Sequence, residues 1–157
     1  MIIALFGQPH CGKSTLANHL INQHMPYAVN IDGDKLRELF SNKDYSREGR
    51  IKNLNRASDI AVFINSIGAN VILSLVYPYK EAREYLNELN QDVIWIYLTY
   101  SEERGREEFH IKDFEAPDQD SVLHLDTTEL SEEESLNKIV SYVGEKIARQ
   151  VVPEQEG

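Results

Sequence analysis

Residues 7 to 15 read GQPHCGKST, and Gly7, Gly12, Lys13 and Ser14 fit the pattern G-x-x-x-x-G-K-[ST]. This is the spacing of a phosphate-cradling loop. Backbone N–H groups wrap a β-phosphate, the lysine reaches the β- and γ-phosphates, and the hydroxyl binds Mg²⁺. The expected nucleotide-binding residues are Gly7, Gln8, Pro9, His10, Cys11, Gly12, Lys13, Ser14 and Thr15. No N-K-x-D or T-K-x-D follows, so a guanine-specific site is disfavoured and ATP is the expected nucleotide. The loop leaves the acceptor of the γ-phosphate open: water, a protein or a small molecule would each fit.

A second candidate group is NIDGDKLR (30–37). Asp32 stands at the end of an apolar run, where it can take a proton from an acceptor hydroxyl or hold Mg²⁺ with Ser14. Asp34 is expected either to serve the site or to cap the helix that follows. Residues 35–56 carry seven basic side chains (Lys35, Arg37, Lys43, Arg47, Arg50, Lys52, Arg56) against three acids. Such a local patch is either a solvated helix face or a grip for a small anion.

These residues need elements to place them. Short apolar runs at 2–6, 28–32, 70–76, 93–98 and 122–126 predict five strands. Helices are predicted at about 13–23, 35–40, 47–67, 79–89 and 131–149. The third rests on Ile51, Leu54, Ala57, Ile60, Ala61, Ile64 and Ile67, spaced by three and four, with Gly68 as the stop. The last opens on the capping box Ser131-x-x-Glu134. Alternating strands and helices predict an α/β fold of the P-loop NTPase type: a parallel five-stranded sheet with helices on both faces and ligands at the carboxyl ends of the strands. Asp32, Ser74, Tyr77 and Thr99 would then lie beside the loop. One domain over 1–150 is expected, with 151–157 as a frayed tail.

Composition narrows the class. The chain has 157 residues, 27% of them charged, and a net charge of −10. Residues 1–100 hold ten basic and ten acidic side chains; residues 101–157 hold six and sixteen, which accounts for the whole imbalance. That acidic third disfavours a nucleic acid partner. No apolar run approaches the roughly 20 residues of a membrane span, no signal peptide is expected at MIIALFG, and one cysteine excludes an intrachain disulfide. A cytoplasmic protein is expected.

IDGDKLR followed by YSREGRIKNLNR resembles the adenylylsulfate kinases, which show D-G-D-x-x-R and then F-S-x-x-D-R-x-E-N-[IV]-R-R. Asp32, Gly33, Asp34, Arg37, Ser46, Arg50, Asn53 and Arg56 match. VYPYKEAR (76–83) resembles I-S-P-[YF]-x-x-x-R, with Pro78, Tyr79 and Arg83 kept, and LDTT (125–128) resembles the closing L-D-T. The resemblance implies transfer from MgATP to the 3′-hydroxyl of adenosine 5′-phosphosulfate. It implies Lys13, Asp32 and Arg37 as catalytic residues and Ser14 and Asp32 as the metal-side residues. Asp34, Arg37, Tyr45, Arg50, Asn53, Val76, Tyr77 and Lys112 would bind the acceptor. Tyr45 replaces a stacking Phe, and Arg37 and Arg50 would grip the phosphosulfate. Glu48-Gly49, Asn55 and Tyr77 depart from the pattern. SEERGREEFHIKDFEAPDQD (101–120) is much shorter than the family's lid and lacks its K-x-[LM]-Y and F-T-G stretches. Arg104 (toward the nucleotide), Arg106, Phe109, His110 and Lys112 are the expected remnants. The implied partner is a small anionic acceptor, and the chain is monomer or homodimer. A kinase of another small hydroxyl compound, a polynucleotide 5′-kinase and a nucleotide-binding module without turnover remain as alternatives.

Overall fold

A computed structural model describes residues 1–101 and 110–151. Five parallel strands form one sheet: β1 (Ile2–Phe6), β2 (Val29–Asp32), β3 (Val71–Ser74), β4 (Ile94–Thr99) and β5 (Leu123–Asp126), in the order β2-β3-β1-β4-β5. The central strand β1 is wholly buried, which its unbroken run IIALF requires. Registers run Ile2↔Val71 on one side and Ile3↔Ile94 on the other.

Alternation along the strands splits the core in two. Ile2, Ala4, Phe6, Val71, Leu73 and Trp95 face α2 (Gly33–Leu39), α3 (Arg47–Ser66) and α4 (Lys80–Leu89). Ile3, Leu5, Ile72, Ile94, Ile96 and Leu98 face α1 (Lys13–His24) and α5 (Glu132–Val151). The three central strands β3, β1 and β4 thus present apolar side chains to both layers, which fixes the register, whereas the edge strands β2 and β5 present them to one layer each.

Helix limits follow local chemistry. Ser131 and Glu134 form the predicted reciprocal cap of α5, with Glu134 N–H donating to Ser131 Oγ and Ser131 N–H to Glu134 Oε1. Gly68, at φ +100, takes the left-handed position just past α3. The predicted stripe of α3 is only half right: Leu54, Ala57 and Ala61 are buried, but Ile67 is 70% exposed. Asn53 and Ser58 take buried places on that helix instead, because this face meets both the cleft and Tyr77.

Candidate active site

A cleft of about 1050 Å³ opens at the carboxyl ends of β1, β2 and β3. Its floor is the loop between β1 and α1. Gly7 (φ +149) has no room for a side chain, since a Cβ there would collide with the Leu98 carbonyl. Gly12 (φ +97) precedes α1 with no side-chain cap, so the first amides of that helix are left for an anion. Lys13 is buried. Its Nζ donates to the carbonyls of Gly7 (3.1 Å) and Gln8 (2.8 Å), which keeps the ammonium aligned along the loop. Thr127 braces the loop from β5, its hydroxyl donating to the carbonyls of Cys11 and Thr99, each at 3.1 Å.

At the end of β2, Asp32 does two things. Oδ1 accepts from the N–H groups of Asp34 (3.0 Å) and Lys35 (3.2 Å), so Asp32 is the N-cap of α2. Oδ2 accepts from Ser14 Oγ at 3.1 Å. The expectation that Asp34 could be the cap is corrected: Asp34 falls in the first turn, because the helix starts one residue after β2 ends. The hydroxyl–carboxylate pair of Ser14 and Asp32 suits Mg²⁺, a cation that takes one or two protein oxygens and otherwise water and phosphate. Among the described residues no group of three metal-ligating side chains competes with it.

Opposite the loop lie Arg37, Tyr45, Arg50 and Asn53, all lining the cleft with Asp34 and Val76. Arg37 sits over the Tyr45 ring at 4.3 Å, and its Nη1 donates to Asn42 O and Oδ1 and Asp44 O. Burial pulls the Arg37 pKa below its ordinary value, a cost that a bound anion would offset. Arg50 Nε donates to Tyr45 O (2.8 Å), tying the aromatic to α3. Asn53 is 4% exposed, and its Oδ1 has no hydrogen-bond partner among the described residues. Gly49 is required here, since a Cβ would collide with Asp44; the departure at this position follows from packing.

Two expected acceptor residues are not at the cleft. Tyr77 (φ +41) turns its ring into the core, edge-on to Trp95 at 5.2 Å, with its hydroxyl paired to Ser58 at 3.0 Å. Burial raises its phenol pKa well above the ordinary value, so it stays a neutral structural group. Lys112 is exposed and lies outside the lining, while His110 and Ile111 do line the cleft. Gly7, Gln8 and Cys11 belong to the loop but do not line the cleft, Cys11 being buried beneath it. Arg104, Arg106 and Phe109 lie outside the described residues. Sequence reasoning missed the supports: Thr127, and Arg83, whose guanidinium donates to the carbonyls of Tyr77 and Glu115, each at 2.7 Å. A buried arginine in a kept motif was the available signal for the second.

Fold, loop and cleft together define a P-loop phosphotransferase. The adenylylsulphate kinase family matches residues 1–110, more than half of the sequence, and the chain belongs to that family. The adenylyl-sulfate kinase of Bacillus pumilus (strain SAFR-032) is 31% identical over 169 residues, covering 92% of this chain and 85% of the relative. The cytidine diphosphoramidate kinase of Campylobacter jejuni is 30% identical over 100 residues, covering 62% of this chain and 59% of the relative. The structure of Mycobacterium tuberculosis APS kinase in complex with AMPPNP and APS superposes with a TM-score of 0.80 at 18% identity, over 91% of this chain and 96% of that one. At that identity the likeness is one of fold.

Proposed function

We propose that the chain phosphorylates the 3′-hydroxyl of adenosine 5′-phosphosulfate with ATP, giving 3′-phosphoadenosine 5′-phosphosulfate and ADP. The observation that carries this reading is the cleft itself: phosphate loop at one end, Asp32 between, and Arg37, Tyr45, Arg50 and Asn53 at the other. In this reading the 3′-oxygen attacks the γ-phosphorus, the bond to the β-phosphate oxygen breaks, and Asp32 takes the hydroxyl proton. Lys13 leaves the Gly7 and Gln8 carbonyls for the phosphate oxygens. Arg37 and Arg50 grip the phosphosulfate as guanidinium forks, and Tyr45, with the Arg37 guanidinium against its ring, offers a surface to the adenine. Mg²⁺, held from Ser14 and Asp32, would neutralise charge on the phosphates. Catalysis is positioning and electrostatics rather than covalent chemistry. Residues 1–150 act as one kinase unit, monomer or homodimer, in the cytoplasm, where ATP and small nucleotide acceptors meet.

The test is an acceptor panel. MgATP is incubated with the protein and adenosine 5′-phosphosulfate, AMP, adenosine, a cytidine diphosphate derivative or a 5′-hydroxyl oligonucleotide, and the nucleotides are separated. Product from adenosine 5′-phosphosulfate at the highest kcat/KM is expected. Preference for another acceptor would replace the substrate while leaving the kinase assignment.

A further inference from the structure

Gln8 is a loop residue whose side chain is bonded to a distant segment of the chain. Its amide pairs with both backbone groups of Ile111: Nε2 donates to Ile111 O and Ile111 N–H donates to Oε1, each at 2.8 Å. This is the geometry of one rung of a strand pairing, made by a side chain. Ile111 is 5% exposed and lines the acceptor cleft beside His110. The residue therefore connects the nucleotide floor to the roof of the cleft. Its other end is occupied too, since the Gln8 carbonyl accepts from Lys13 Nζ at 2.8 Å.

The far end of the roof segment is fastened to the opposite wall. Glu115 N–H donates to Pro78 O (2.7 Å), Arg83 holds Glu115 O, and Lys80 N–H donates to Glu115 Oε1 (3.1 Å). Arg47 of α3, stacked on Tyr79, pairs with Glu115 at 3.6 Å and Asp113 at 3.9 Å. Segment 110–115 is thus a strap across the cleft, with Gln8 as its tie on the phosphate-loop side.

We propose that Gln8 is a positioning residue that holds Ile111 over the acceptor, so that the phosphate loop and the roof move as one body. The proposal rests on the reading of the cleft as a kinase site, and it explains how a short cover can serve. Because the Gln8 carbonyl also holds Lys13, drawing that lysine onto a nucleotide alters the residue that carries the roof. Nucleotide and acceptor affinities are then linked, and linkage of this kind is reciprocal.

Isotope-labelled wild type, Gln8→Ala and Gln8→Glu are compared by amide hydrogen exchange and by steady-state kinetics. In Gln8→Ala the Ile111 amide should exchange about tenfold faster or more, the order expected when part-buried hydrogen bonds are lost. The acceptor KM should rise about tenfold, with a smaller change in kcat and in the KM for ATP. Gln8→Glu keeps the size but sets a carboxylate against Ile111 O, so it should repeat the pattern, and it carries the test should Gln8→Ala fail to fold. Unchanged Ile111 exchange, or equal rises in both KM values, overturns the proposal. Should the wild type use an acceptor other than adenosine 5′-phosphosulfate, the substrate reading falls, and Ile111 exchange with that acceptor's KM still decides the role of Gln8.

Discussion

The two ends of the cleft are built differently. At the nucleotide end the backbone does the work: Gly7 and Gly12 hold positive φ, no side chain caps α1, and Lys13, 9% exposed, is already satisfied by main-chain carbonyls. At the acceptor end side chains do it: Tyr45 is 62% exposed, Arg37 and Arg50 reach over it, and Asn53 lines the wall beside them. A site made of backbone has one shape and fails as a whole when broken. A site made of side chains can be altered by degrees while the fold persists.

That contrast can be broken most severely at Lys13. Lys13→Ala should lower kcat about 10³-fold or more, by loss of the charge on the transferring phosphate, while circular dichroism reports an unchanged fold. Activity near wild type would detach the loop from the reaction. Asp32→Asn sits on the boundary between the two ends and should lower kcat roughly 10²-fold, as loss of a general base does. Asparagine caps a helix about as well as aspartate, so thermal unfolding should barely move. A large drop in Tm with kcat retained would make Asp32 a cap and nothing more. The mildest change is Arg50→Ala, which should raise the acceptor KM about tenfold, the order of one lost charge-assisted hydrogen bond, with little effect on ATP. Equal weakening of both ligands, measured by separate titrations, would erase the distinction between the ends.

The same contrast governs what the sequence disclosed. The phosphate loop was legible because Gly7 stands where a side chain would collide and Gly12 where the backbone is left-handed, so geometry leaves a mark in residue type. The five strands and the helices were legible from period and caps, with limits shifted by a residue or two. Asp32 was marked by its place at a strand end, and Arg37, Tyr45, Arg50 and Asn53 by the matched motifs; all five line the one cleft because they lie on consecutive stretches following that strand. Tyr77 was misplaced: its neighbours Val76 and Pro78 line the cleft, but a positive φ turns the ring to Ser58 and Trp95, a contact with residues 19 and 18 positions away in sequence. Lys112 failed for a similar reason, since position in a cover segment does not say which alternate side chain points inward. The Gln8–Ile111 tie joins residues separated by 103 positions, and no local pattern encodes such a pairing.

β4 and β5 are neighbours in the sheet, paired from Ile96↔Leu123 to Thr99↔Asp126, and His110 and Ile111 from the chain between them line the cleft. Their pairing needs no particular length of connection. Lengthening a flexible loop is cheap, about 0.6 kcal/mol for each doubling, whereas moving any strand would undo the core. An insertion between Ser101 and His110 would therefore leave both the sheet and the tied segment 110–115 in place, and can give a new clientele to an old engine. A longer cover grafted there should change which acceptors are retained and for how long, and leave the phosphate chemistry beneath it as it was.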